Sequence, residues 1–216
     1  LAANLSLLSH VQASTPVQRV RASLSDYLSD FSVSQLQLDH RQIADVYPLS
    51  PLQEGMLYLS LESPNTGLYI NQLSVSVTGL EVERFIASWQ KMLRRHAILR
   101  TSFLWQGLET ALQLVWHAAP AKIHVLDWRN EHDVDVQLNK LISSDLLQDF
   151  DFSQPSLARL TLIRLNEQKY QLLLTLHHIL LDGWSQSRLL GELLQDYSEQ
   201  ELMPITVEYG DYIQWY

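Results

Sequence analysis

The chain has 216 residues, of which 46% are apolar and none is cysteine. This is enough to bury one substantial core in a single domain, while the missing thiols exclude disulfides and thiolate metal sites and give no sign of an oxidising compartment. With 24 acidic against 15 basic side chains, the net charge of -9 repels phosphate backbones, so nucleic acid is not an expected partner. No apolar stretch approaches the roughly 20 residues that span a bilayer, and Leu1-Ala2-Ala3-Asn4-Leu5-Ser6 lacks the basic start of a signal peptide. A cytoplasmic protein without membrane contact is therefore expected.

In chain order, Ser50, Pro51 and Gln53 make a capping-box start, so a helix is predicted from near Pro51. Leu73 to Thr78 alternates apolar and polar as a strand does. Val82, Phe85, Ile86, Trp89, Met92 and Leu93 recur at helical spacing and give the clearest amphipathic helix, ending near His96. Leu99 to Trp105 and Leu112 to Trp116 read as paired strands around Gln106-Gly107, and Ile123 to Trp128 as another short strand. Val134, Leu138, Leu141 and Ile142 predict a further helix. Leu157 to Leu165 and Tyr170 to His177 read as a buried hairpin across Asn166-Glu167-Gln168. Leu189, Leu190, Leu193, Leu194 and Tyr197 then continue as a helix. Interleaved strands and helices predict a layered α/β domain, a mixed sheet flanked by helices, rather than a bundle.

The apolar run Leu172-Leu173-Leu174-Thr175-Leu176 ends in two adjacent histidines and an Asp182-Gly183 turn before Trp184 and Ser185. Successive strand residues point to opposite sides, so His177 and His178 cannot enter the same layer. One is expected to be structural while the other faces a cleft. For each, the ordinary explanation is a hydrogen-bonded histidine at a strand end. For Asp182 it is a turn former, and for Gly183 a permissive backbone for chain reversal. Trp184 and Ser185 either line the site or start the helix. His10, His40, His117, His124 and His132 show no spacing suited to a metal, so no metal site is expected.

His177 to Gly183 has the pattern HHxxxDG, and in this it resembles the condensation domains of nonribosomal peptide synthetases, whose fold is that of the chloramphenicol acetyltransferase-like superfamily. Further segments agree, in order. The stretch from Tyr47-Pro48-Leu49-Ser50-Pro51-Leu52-Gln53 to Glu54-Gly55-Met56-Leu57 is similar to the first condensation motif, and Arg95-His96-Ala97-Ile98-Leu99-Arg100-Thr101-Ser102-Phe103 to the second. Phe150-Asp151-Phe152 with Pro155-Ser156-Leu157-Ala158-Arg159 resembles the approach to the histidine strand. Val207-Glu208-Tyr209-Gly210-Asp211-Tyr212-Ile213-Gln214-Trp215 resembles the motif that closes this half. The likeness covers residues 45–216, the N-terminal lobe of a two-lobed domain; residues 1–44 are expected to be an N-terminal linker or an inter-domain segment, with a weak likeness to a linker in Ser29-Asp30-Phe31-Ser32. A chain that starts without methionine and ends on aromatic residues is expected to be a piece of a larger protein.

The resemblance implies an acyltransferase-type amide synthase, joining two substrates held as thioesters on the phosphopantetheine arms of donor and acceptor carrier proteins, in a cleft completed by a C-terminal lobe. No cofactor is expected on this chain itself. It implies that His178 is catalytic and His177 supporting, that Asp182 forms a buried ion pair with Arg100, and that Gly183, Trp184 and Ser185 lie near the site. Epimerisation and heterocyclisation domains carry a related motif; Trp184-Ser185 and Gln53-Glu54-Gly55-Met56 look more like condensation, of the subtype accepting a D-configured donor. A partner-recruitment module of the same fold is the alternative outside enzymes, and an intact second histidine argues against it.

Overall fold

The computed structural model describes residues 21–28 and 39–215. The linker likeness at residues 29–32 lies outside them. Among the described residues seven strands and five α-helices follow in order: β1 (Ile43–Pro48), α1 (Pro51–Glu62), β2 (Ile70–Thr78), α2 (Val82–Arg95), β3 (Thr101–Leu104), β4 (Leu112–Trp116), β5 (Lys122–Asp127), α3 (Val134–Leu146), β6 (Ala158–Arg164), β7 (Lys169–His177), α4 (Gly183–Tyr197) and α5 (Tyr209–Trp215). They form two sheets, an antiparallel one ordered β1-β4-β3 and a mixed one ordered β2-β7-β6-β5, in which only the β5–β6 pair is parallel. A parallel pair needs a crossover of a dozen or more residues, and α3 lies within it.

The capping box forms as the sequence predicts. Ser50 Oγ accepts from the Gln53 amide at 3.3 Å, while Gln53 Oε1 accepts from the Ser50 amide at 3.1 Å, which sets the start of α1. The β6–β7 hairpin closes on an Asx turn, in which Asn166 Oδ1 accepts from the amides of Gln168 and Lys169 at 2.9 and 2.8 Å. Alternate residues of β7 serve two layers. Leu172, Leu174 and Leu176 join the main core with Phe85, Trp89 and Met92 of α2 and Leu189 and Leu193 of α4. Gln171 and Thr175, on the other face, meet polar partners. Helices α2 and α4 are held together by the edge-on contact of Phe85 and Tyr197 at 5.7 Å and by the ion pairs Lys91–Asp196 and Arg95–Glu192.

Helix α3 covers that other face through a buried ion pair. Arg159 of β6 and Asp145 of α3, 6% and 8% exposed, pair at 2.9 Å, and the same guanidinium donates to the carbonyls of Asp145 and Gln148 at 2.7 and 2.8 Å. The second carboxylate oxygen accepts from Gln72 Nε2 at 2.8 Å and from Thr175 Oγ1. Arg159 also stacks 4.2 Å above the Phe150 ring. One network thus joins β2, β7, β6 and α3.

Three features depart from the periodicity reading. Residues 97–100 form a 3-10 turn before β3, because the Arg100 guanidinium draws it in by donating to Leu93 O at 3.0 Å and to Trp116 O. Strand β1 escaped notice because Asp45 interrupts its apolar pattern; Asp45 is buried, and its Oδ1 accepts from the amides of Ala22 and Val46 at 3.1 and 3.0 Å. Helix α5 is too short for a periodic signal and rests on β1 through Tyr47 and Tyr209, 6.4 Å apart. Leu24, within the stretch expected to be linker, packs on Val46, Leu112 and Leu114.

Candidate functional site

The apolar strand β7 delivers its two terminal histidines to different surroundings, as the alternation of a strand requires. His177 is 2% exposed. Its Nδ1 accepts from the Ile179 amide at 3.1 Å, so in the neutral ring Nε2 carries the proton and donates to Ser60 Oγ at 3.1 Å; Ser60 in turn donates to Met56 O at 2.7 Å. Phe152 stands edge-on to the ring at 4.9 Å. Burial, and to a lesser degree the neighbouring His178, push its pKa down from 6.5 to about 4.

That shift predicts an acid-labile fold. The unfolded chain binds a proton on this ring near pH 6.5 while the folded one resists until about 4, so stability is full above 6.5 and declines as pH falls through this window. The loss attributable to His177 is about 3 kcal/mol. Urea midpoints measured from pH 7 to pH 4 are expected to show it, and a His177→Gln chain that loses just as much stability over the same range would refute the assignment.

His178 is half-buried and begins a tight turn. Its amide donates to Tyr69 O at 2.7 Å, and its Nδ1 lies 2.6 Å from Leu181 O. A carbonyl oxygen only accepts, so Nδ1 holds the proton and the neutral ring leaves Nε2 with a free lone pair. Asn71 flanks the same ring, its side-chain Nδ2 3.4 Å from Nδ1; both are then donors, so the shorter contact with Leu181 O decides the tautomer. The imidazole lines a cleft of about 920 Å³ between the histidine turn, the start of α1, and α5. That volume is of the size that holds a drug-sized ligand. Leu52, Val207 and Tyr212, all exposed, line the same cleft beside Met56, Ile98 and Leu180.

The remaining predicted residues fall unevenly. The buried ion pair expected between Asp182 and Arg100 does not form. Asp182 is exposed and caps α4, its Oδ1 accepting from the Ser185 amide at 2.7 Å, and this backbone hydrogen bond holds its carboxyl below the usual range. The helix N-terminus satisfies the carboxylate, and the carbonyls of Leu93 and Trp116 satisfy Arg100. Asp182→Ala is accordingly expected to cost about 1 kcal/mol, as for a lost cap, and Asp182→Asn almost nothing. A thermal melt distinguishes this from a stranded buried charge, which would cost several times more.

Gly183 is also not needed for chain reversal. It opens α4 without a positive φ, and an added Cβ would meet nothing within 4 Å, because residues 178–182 already make the turn. Ser185 lines the cleft, whereas Trp184 is 77% exposed and outside its wall. Arg95 and His96 both reach Glu192, at 2.7 and 3.1 Å, in a neighbouring cavity of about 400 Å³ that shares Ile98, Leu181, Ser185, Arg188 and Val207 with the cleft. Burial lowers the His96 pKa more than Glu192 raises it. Among the described residues no cluster of three or more potential metal ligands occurs, and no helix is long and apolar enough to cross a membrane.

The sequence profile of the condensation domain matches residues 43–216. The chain belongs to the condensation-domain family. One of the linear gramicidin synthase proteins of Brevibacillus parabrevis is 38% identical over 202 residues, spanning 87% of this chain and 4% of that protein. Among solved structures, the starter condensation domain of rhizomide synthetase RzmA superposes with a TM-score of 0.70 at 16% identity, over 80% of this chain and 45% of that one. A four-domain nonribosomal peptide synthetase, holo-AB3403 bound to AMP and glycine, gives 0.65 at 24% identity, over 80% of this chain and 13% of that one. At these identities the superpositions establish the fold. The chain thus spans a small fraction of its synthetase relative and less than half of a solved condensation domain.

Sequence reading of this condensation-domain chain missed several groups that shape the cleft. Gln113, a polar residue inside the apolar run of β4, is fully buried, and that conflict was a usable signal. Gln53 was recognised as a helix cap and as part of a motif, and Tyr209 only as part of a motif. Arg188, on the exposed side of α4, lines both cavities, and its position one turn after Trp184 and Ser185 gave no hint of this.

Proposed function

We propose that this chain is the histidine-bearing lobe of a peptide-bond-forming condensation domain, with His178 as the catalytic residue. The observation that carries this reading is the hydrogen bond from His178 Nδ1 to Leu181 O, which leaves Nε2 as an acceptor on a ring that lines the cleft. The donor is an aminoacyl or peptidyl thioester and the acceptor an aminoacyl thioester, each carried on the phosphopantetheine arm of a separate carrier domain. The acceptor nitrogen attacks the donor carbonyl carbon. As the N–C bond forms, the nitrogen loses a proton to Nε2; as the C–S bond breaks, the departing sulfur takes that proton back as a thiol. His178 ends the cycle neutral, and no redox partner is required.

An α-amino group has an ordinary pKa of about 7.7 to 8.0, so near neutrality a positioned acceptor assists both deprotonation and orientation. Donor and acceptor carrier domains and a second, C-terminal lobe are the partners this requires. The exposed apolar rim of the cleft, with Leu52, Val207 and Tyr212, supports a covering lobe. The chain alone is expected to form no peptide from loaded carriers, and adding the matching C-terminal lobe to restore product. Robust product from the lone chain would overturn the two-lobed site, and failure of the reconstituted pair at native-like folding would overturn the condensation role.

A further inference from the structure

Two neutral amides beside the cleft play no part in the proton transfer, yet are more completely satisfied than the histidine they adjoin. Gln53 of α1 and Gln113 of β4 are 5% and 0% exposed and face one another as a reciprocal pair. Gln53 Nε2 donates to Gln113 Oε1 at 3.0 Å, and Gln113 Nε2 to Gln53 Oε1 at 2.9 Å. Each amide then spends its second proton on backbone: Gln113 on Pro48 O at 3.1 Å, Gln53 on Ile179 O at 3.1 Å. Gln53 Oε1 further accepts from Tyr209 Oη at 3.0 Å and from the Ser50 amide at 3.1 Å. Burying two amides in an apolar setting is unfavourable unless every donor is met, and here every donor is.

What this network grips is the carbonyl of the residue that follows His178. The turn has few other ties: the His178 amide to Tyr69 O, the Ile179 amide to the His177 ring, and the Leu180 amide to His177 O. The distance that sets the ring's tautomer, His178 Nδ1 to Leu181 O at 2.6 Å, spans this same turn. A shift of the Ile179 peptide plane therefore moves Leu181 O relative to the ring.

We propose that Gln53 is a positioning residue for His178. By holding the Ile179 carbonyl it keeps the turn in the one conformation in which Leu181 O accepts a hydrogen bond from Nδ1–H and Nε2 stays free. Gln113 Oε1 accepts the other N–H of the Gln53 amide, and Tyr209 ties the same group to α5, so the helix cap and the closing helix both bear on one imidazole. This rests on the reading of His178 as the proton acceptor, but its test reads the ring and not turnover.

Long-range proton–nitrogen NMR of the ¹⁵N-labelled chain reports which imidazole nitrogen is protonated. The unaltered chain is expected to show His178 protonated at Nδ1; protonation at Nε2 would instead sink the role given to His178 itself. Gln53→Met removes the bond to Ile179 O, while Gln113→Met removes the reciprocal pair but leaves that bond in place. Both variants lose stability, and only Gln53→Met is expected to lose the Nδ1–H signature of His178. An unchanged His178 in Gln53→Met, or an equal change in both variants, overturns the proposal. Should Gln53→Met fail to fold, the scalar coupling across the hydrogen bond from Gln53 Nε2 to the Ile179 carbonyl carbon is read in the unaltered chain; its presence supports the grip and its absence overturns it.

Discussion

Replacing Asp145 by alanine is expected to lower the unfolding free energy by roughly 3 to 5 kcal/mol, because it strands the buried Arg159 guanidinium without its counter-charge. Two backbone carbonyls and the Phe150 ring remain to it, but among the described residues no other anion pairs with it. Asp145 also accepts from Gln72 and Thr175, so the same change takes an acceptor from the buried Thr175 hydroxyl and leaves Gln72 Nε2 with Ile142 O. Against a typical domain stability of about 5 to 15 kcal/mol, such a loss places a substantial part of the population near unfolding. Arg159→Ala is expected to cost as much from the other side. Replacing both, Asp145→Leu with Arg159→Met, removes the charges together and is expected to recover most of the difference. Urea unfolding at pH 7 measures all three, and single variants within 1 kcal/mol of the parent would refute this account of what holds α3 to the sheet.

His178→Ala is expected to do the opposite: to leave the melting curve in place and lower kcat by about 10²- to 10⁴-fold in the complete condensation domain. In barrier terms this is about 3 to 5 kcal/mol. KM for the loaded carriers is expected to change little, since in the proposed reaction the ring meets the reacting nitrogen and not the body of the arm. A residual rate above the uncatalysed one is also expected, because well-oriented reactants contribute up to roughly 7 to 11 kcal/mol without any base. His177→Ala is the necessary comparison. That ring is buried and bonded to the Ile179 amide and Ser60, so its loss leaves a buried N–H unpaired and is expected to appear first in the melting temperature. Equal turnover in His178→Ala and the parent would remove the residue from the chemistry altogether.

Much of the architecture was legible because it is local. The start of α1 is written in Ser50, Pro51 and Gln53, the face of α2 in apolar residues at helical spacing, and the divergence of His177 from His178 in the two-residue repeat of a strand. The HHxxxDG run and its companions in order pointed to the family that the profile over residues 43–216 establishes. Where sequence reading failed, a polar residue had been matched to the wrong partner. Asp182 went to the nearest donor, the amide of Ser185 three residues on, and the buried charge pair lies instead between Asp145 and Arg159. Periodicity also began β3 at Leu99, two residues early, where Leu99 and Arg100 belong to the 3-10 turn of residues 97–100.

The amino-acid order by itself determined most of the elements, the strand that carries the histidines, and the divergence of the two rings to opposite sides, since each follows from the pitch of a helix or the pleat of a strand. Tertiary structure alone decided which side chains satisfy one another across the fold: Arg159 with Asp145, 14 positions apart, and Gln53 with Gln113 and the Ile179 carbonyl, 60 and 126 positions apart. The physical reason is that burial requires every polar group to find a partner but leaves open which one. Only the packed arrangement of sheets and helices brings one candidate within reach and carries the others away.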